Sequence, residues 1–74
     1  MPSRVRVFEL HHAQRFYMTS PDRIWVRINE ADVERGCAVA LEVQKTTKDS
    51  RFYHGLFIGQ VHIIQPETQV VPLL

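Results

Sequence analysis

A chain of 74 residues with 45% apolar side chains and a formal net charge of +1 makes one small domain, neither disordered by composition nor biased by charge toward polyanions. One cysteine, Cys37, excludes an intrachain disulfide, so stability has to come from packing, a metal or a second copy of the chain. The single cysteine, an N-terminus (MPSRVRVFE) without the apolar core of a signal peptide, and the lack of any membrane-length apolar run predict a cytoplasmic protein with no membrane partner.

Residues 4–10, RVRVFEL, have strand composition, but their parity slips. Val5 and Val7 share one side and Phe8 and Leu10 the other, as in a bulged strand or one twisted between two packing surfaces. Residues 11–14 read as a turn and 15–18, RFYM, as a short second strand. Thr19, Ser20, Pro21 and Asp22 close it, because Pro fixes φ and Asp bonds to nearby backbone. Residues 23–28 then alternate cleanly. Ile24, Val26 and Ile28 point to one side, and Arg23, Trp25 and Arg27 to the other. The first half therefore predicts an antiparallel meander.

From residue 30 to 45 two patterns compete. Asn29 is placed as an N-cap, with Glu30 and Asp32 in the first turn and Lys45 and Lys48 at the far end, which suits a helix dipole. Ala31, Ala38, Ala40 and Leu41 favour a helix; Gly36 and the β-branched valines oppose it. Cys37, Val39, Leu41 and Val43 also alternate with Ala38, Ala40, Glu42 and Gln44, which is a strand pattern. The capping and end-charge signals decide for the helix. The expected fold is α+β: an antiparallel β-meander, one helix over residues 30–45, and a long late strand. The alternative is a small all-β barrel (SH3- or OB-like).

Residues 46–50 form a polar connection, and residues 51–64 resume a strand pattern interrupted by Gly55 and Gly59, where a bend or bulge is expected. Pro66 ends it. The whole of 1–74 is one domain, with residues 66–74 a candidate docking tail. The tripeptide RFY occurs at 15–17 and again at 51–53, but the residues after it do not align at a constant offset, so no repeat is inferred. The predicted core comprises Val5, Val7, Phe16, Ile24, Val26, Ile28, Val33, Leu41, Ile58, Val61 and Ile63.

Seven of the nine cations are Arg, which forms bidentate contacts and stacks on rings better than Lys does. Arg23, Trp25 and Arg27, joined by Arg15 and Tyr17 on the neighbouring strand, are the candidate binding residues. Such a face offers cations for phosphate and rings for unpaired bases; alternatively Trp25 is half-buried, with both Arg packed over it. A meander with a helix across its back resembles the layout of small DNA-binding domains whose sheet enters the major groove, although no motif accompanies that layout.

Metal and catalytic chemistry have no pattern here. His11 and His12 are adjacent, His54 and His62 are distant along one strand, and no paired-ligand spacing occurs. Cys37 follows Gly36 as a small core residue, without a local base or oxyanion site. No metal, cofactor or catalytic residue is predicted, and the chain reads as a non-enzyme. The expected function is a compact interaction protein, an inhibitor or adaptor of the kind viruses and mobile elements encode, acting on another protein. A nucleic-acid-binding regulator is the alternative, less favoured by near-neutral charge. A homodimer through Val70, Val71, Leu73 and Leu74 is also expected, because so small a core has little room for that tail.

Overall fold

The computed structural model describes residues 3–19 and 22–73 (the side chain of Asp32 excepted). Among the described residues, seven strands run in chain order as β1 (Val5–Arg6), β2 (Arg15–Tyr17), β3 (Trp25–Val33), β4 (Gly36–Glu42), β5 (Arg51–Tyr53), β6 (Leu56–Ile64) and β7 (Gln69–Pro72), with one 3-10 turn, Val7–Glu9. They form one antiparallel sheet in the order β1-β7-β2-β3-β4-β6-β5.

The α+β expectation is thereby corrected: residues 30–45 hold no helix, and the all-β alternative has the right class. The segment forms the second half of β3, a turn at Glu34 and Arg35, and β4. Tertiary burial overrides the capping signals. Cys37, Val39, Ala38 and Ala40 are all buried, the first two on one face of the sheet and the alanines on the other. A strand covered on both sides needs apolar residues at every position, and the CAVAL run supplies them. The cap-like residues serve an irregularity instead. Between the pairs Ile28↔Ala38 and Val33↔Gly36, β3 advances five residues while β4 advances two. The surplus polar stretch around Asn29 and Glu30 is exposed.

The expected late strand over 51–64 is a hairpin. Tyr53 pairs with Leu56 across His54 and Gly55, both at positive φ, 46° and 88°. That is the two-residue loop whose twist matches antiparallel strands. β6 is the long strand, lying between β4 and β5. Its register slips opposite the Ala40–Glu42 step, where Gly59 lies, and it ends before Pro66 as the sequence indicates.

Two cores lie on opposite faces of the sheet. Val7, Leu10, Phe16, Cys37, Val39 and Val70 form one, with Trp25, Val5, Met18 and Ile64 packed against it. Val26, Ile28, Ala38, Ala40, Tyr53 and Ile58 form the other, with Ala13, Leu56 and Val61. Of the expected core, Val7, Phe16, Val26, Ile28 and Ile58 are fully buried, and Val5, Ile24, Leu41 and Val61 are partly so. Val33 and Ile63 are exposed instead. The parity slip between Val7 and Phe8 falls within the 3-10 turn that follows β1.

Within the expected tail, Gln69–Pro72 form β7, an inner strand of the sheet. β7 pairs with β1 through Gln69 and Val70, and with β2 through Val71 and Pro72. Leu73 N–H donates to Arg15 O at 2.9 Å, which turns the Pro72 nitrogen to the other side, past the end of β1, where no ladder bond is lost. Val70 is fully buried in the chain's own core. Leu74, and Ser20 and Pro21 of the expected turn, lie outside the described residues. Among the described residues, no helix is long and apolar enough to cross a membrane.

Candidate interaction surface at the β5 edge

The Arg–aromatic face expected from the sequence is divided by the sheet. Phe16 and Trp25 are register partners in the β2–β3 pair, so Trp25 points to the face of Phe16, whereas Arg15 and Tyr17 point to the other. Trp25 is half-buried, packed on the first core and edge-on to His62 with centroids 6.0 Å apart. Arg27 is buried, and its Nη1 donates to Ile28 O and Ala38 O, each at 3.1 Å. Arg15 donates from Nη2 and Nε to Glu42 Oε1 at 2.7 and 3.0 Å, across intervening β3. Arg23 alone of the triplet is exposed, in the segment before β3. Three of the five candidates are thus held by the fold's own packing and hydrogen bonding, and the five do not converge.

A second cluster forms where the 11–14 turn meets the β5–β6 hairpin. The His12 and His54 rings lie 4.4 Å apart, His54 is edge-on to Tyr53 at 4.5 Å, and His54 Nε2 is 3.4 Å from Glu30 Oε1. A shallow depression beside it is lined by Ala13, Gln14, Arg15, His54, Leu56 and Leu73. Among the described residues, no group of three or more His, Cys, Asp or Glu is arranged to hold a metal ion.

The third feature is an open strand edge, whose residues lie outside the five candidate binding residues. β5 ends the sheet. Phe52 lies directly opposite Phe57, their rings edge-to-face with centroids 4.9 Å apart. Phe52 is 60% exposed, the largest value for a large apolar side chain among the described residues. Phe57 O accepts from Val43 N–H at 2.9 Å, so the Phe57 backbone addresses the β4 side. By the alternation of an antiparallel ladder, the N–H and C=O of Phe52 then face outward from the edge. The signal was present as RFY-HG-LF: a His-Gly loop between apolar runs fixes the hairpin register and sets the two phenylalanines opposite each other.

The opposite edge of the sheet is treated differently. Val7 N–H donates to Thr68 O, just before β7, at 2.8 Å, so the preceding N–H, of Arg6, faces out; it donates to the Glu9 carboxylate at 3.0 Å. β1 is also two residues long and turns at once into the 3-10 turn. One edge is therefore closed by its own side chain, while the other presents an aromatic residue and an outward-facing backbone pair.

No family model, curated protein or solved structure matches this chain.

Proposed function

We propose that this chain is a small non-enzymatic interaction protein, an inhibitor or adaptor, that binds another protein through the β5 edge. The observation that carries the reading is Phe52, 60% exposed on a terminal strand beside Phe57. Aromatic residues are enriched in the energetic centres of protein interfaces, and an outward-facing backbone pair accepts an added strand. The rival reading, a nucleic-acid-binding regulator, draws less support. Its stacking residue Trp25 packs against the core, Arg27 is buried, and Arg15 is engaged by Glu42. A single buried cysteine suits action in the cytoplasm.

The test is a benzophenone side chain placed at position 52, with the same group at exposed Phe8 as control, irradiated in cells. Protein adducts from position 52 and none from position 8 are the expected result. Labelled single- and double-stranded oligonucleotides are expected not to bind at about 50 mM salt. Salt-sensitive oligonucleotide binding without protein adducts would overturn the reading in favour of nucleic acid.

A further inference from the structure

We infer that the β5 edge joins two copies of this chain, antiparallel about a twofold axis at Phe52. The inference rests on the reading of that edge as a protein-docking surface and names one occupant of it. β5 is only three residues long. It is bounded by the His54–Gly55 loop on one side and on the other by a turn in which Ser50 N–H donates to Thr47 O at 3.3 Å. Of its residues, Arg51 and Tyr53 address β6, which leaves the backbone of Phe52 facing outward. A docking strand of any sequence forms two backbone bonds with so short a rail, so the side chains decide which occupant suits it. A second copy forms the same two bonds about a twofold axis and brings matching side chains as well. Phe52 N–H of one copy meets Phe52 C=O of the other, and the reverse, which is the narrow pair of an antiparallel ladder.

The side chains are self-complementary in the same register. Phe52 meets its symmetry mate, and each keeps its edge-to-face Phe57, so four rings join on one face of the extended sheet. On the other face Arg51 comes opposite the partner's Tyr53. The Tyr53 ring is buried in the second core and already carries its own chain's Arg51, whose guanidinium carbon lies 5.4 Å from the ring centroid, so the pairing of phenylalanines carries the complementarity. A formal net charge of +1 offers little long-range repulsion between copies. Two three-residue edges and four rings fall short of the roughly 800 Å² per partner of standard stable interfaces. The association is accordingly weak, with a Kd on the order of 10⁻⁴ M.

Sedimentation of the purified full chain from about 10 µM to about 1 mM tests this, a range chosen to bracket a weak interface. The mass is expected to climb toward the dimer for the native chain and for Phe8→Lys. Phe52→Lys sets two cations together at the axis and is expected to weaken association more than tenfold, in the range of a lost aromatic anchor. Because Phe52 is exposed, that variant keeps the fold, which circular dichroism checks. Amide hydrogen exchange supplies an independent measure. The Phe52 N–H is expected to slow as concentration rises in the native chain, and to be indifferent to concentration in Phe52→Lys. A native chain that stays monomeric throughout, or a dimer that Phe52→Lys leaves intact, overturns the inference. If the purified chain is monomeric while position 52 still crosslinks to other proteins, the second copy is wrong and the docking reading stands. If both experiments are blank, both fall.

Discussion

Phe16 and Trp25 stand directly opposite one another across β2 and β3, and both turn toward the core that Val7, Val39 and Val70 complete. The indole is therefore part of what holds β3 to the N- and C-terminal strands. It is not a platform presented to a ligand. Trp25→Ala is expected to cost about 2–4 kcal/mol, near the lower part of the range for large aromatic truncations because Trp25 is only half-buried. Trp25→Phe should cost less. Urea unfolding followed by far-UV circular dichroism measures both. A loss below about 0.5 kcal/mol, the level of ordinary surface substitutions, would show that the ring contributes no packing.

Arg27 and Arg23 sit four residues apart on one alternating pattern but in different surroundings. Arg27 is 3% exposed and donates to two backbone carbonyls, Ile28 O and Ala38 O. Arg27→Ala removes a buried stem and leaves those carbonyls a donor short, so about 2–4 kcal/mol of stability should be lost. Arg23 is exposed, and Arg23→Ala should change stability by no more than about 0.5 kcal/mol. Parallel thermal melts of the two variants give the comparison. Equal effects would contradict the burial difference.

The same residues show what the sequence could and could not convey. Alternation over 23–28 identifies Val26 and Ile28 as core correctly, because their face is apolar at every second position. Assigning the other face to solvent assumes a sheet covered on one side. This sheet carries a core on both, so Trp25 and Arg27 are drawn in by distant partners: β7, β4 and the 3-10 turn. Asn29 and Glu30 satisfy the local chemistry of a helix start, yet local chemistry does not encode that Ala38 and Ala40 must lie under Tyr53 and Ile58. The two RFY tripeptides make the point with identical residues. Phe16 is fully buried and Phe52 is 60% exposed, while Tyr17 is half-buried and Tyr53 is buried. Position in the sheet, central for β2 and terminal for β5, reverses which side of the same three residues is covered. The open edge was legible in principle, through the His-Gly loop. What concealed it was treating residues 51–64 as one strand.

Gly36 marks a close crossing of β4 and β6. A Cβ there would collide with Ile63 Cγ2 and come within 3.1 Å of Ile64 O. Gly36→Ala should therefore destabilise by about 1–3 kcal/mol, as overpacking does. Ile63 is 48% exposed, so its side chain can be trimmed at modest cost. In the double variant with Ile63→Ala, part of the Gly36→Ala penalty should be recovered, leaving a remainder set by the fixed Ile64 carbonyl. A double-mutant cycle by chemical denaturation checks it, with a coupling of at least about 0.5 kcal/mol expected for residues in contact. Strict additivity would show that Ile63 is not the obstacle.

Two turns make opposite demands at positive φ, and glycine chemistry distinguishes them. A Cβ added at Gly55, where φ is 88°, would meet nothing within 4 Å, so space is not its reason for being glycine. The backbone angle is. Gly55→Ala should lose about 1–2 kcal/mol from the left-handed conformation alone, and with it the register that sets Phe52 against Phe57. Ala13 stands in the reverse situation. It occupies φ 61° as the third residue of a turn closed by Gln14 N–H to His11 O at 3.1 Å, a place where a type II turn favours glycine. Ala13→Gly relieves the left-handed cost of about 1–2 kcal/mol and gives back about 0.4–1 kcal/mol through a more flexible unfolded chain. It also uncovers a small part of the second core, against which Ala13 packs. The balance should lie between neutral and about 1 kcal/mol stabilising. Thermal denaturation of the two single variants decides the matter: Gly55→Ala lowers the Tm, and Ala13→Gly leaves it unchanged or raises it. Loss of stability beyond about 1 kcal/mol in Ala13→Gly would mean that its methyl group in the core outweighs the strained backbone.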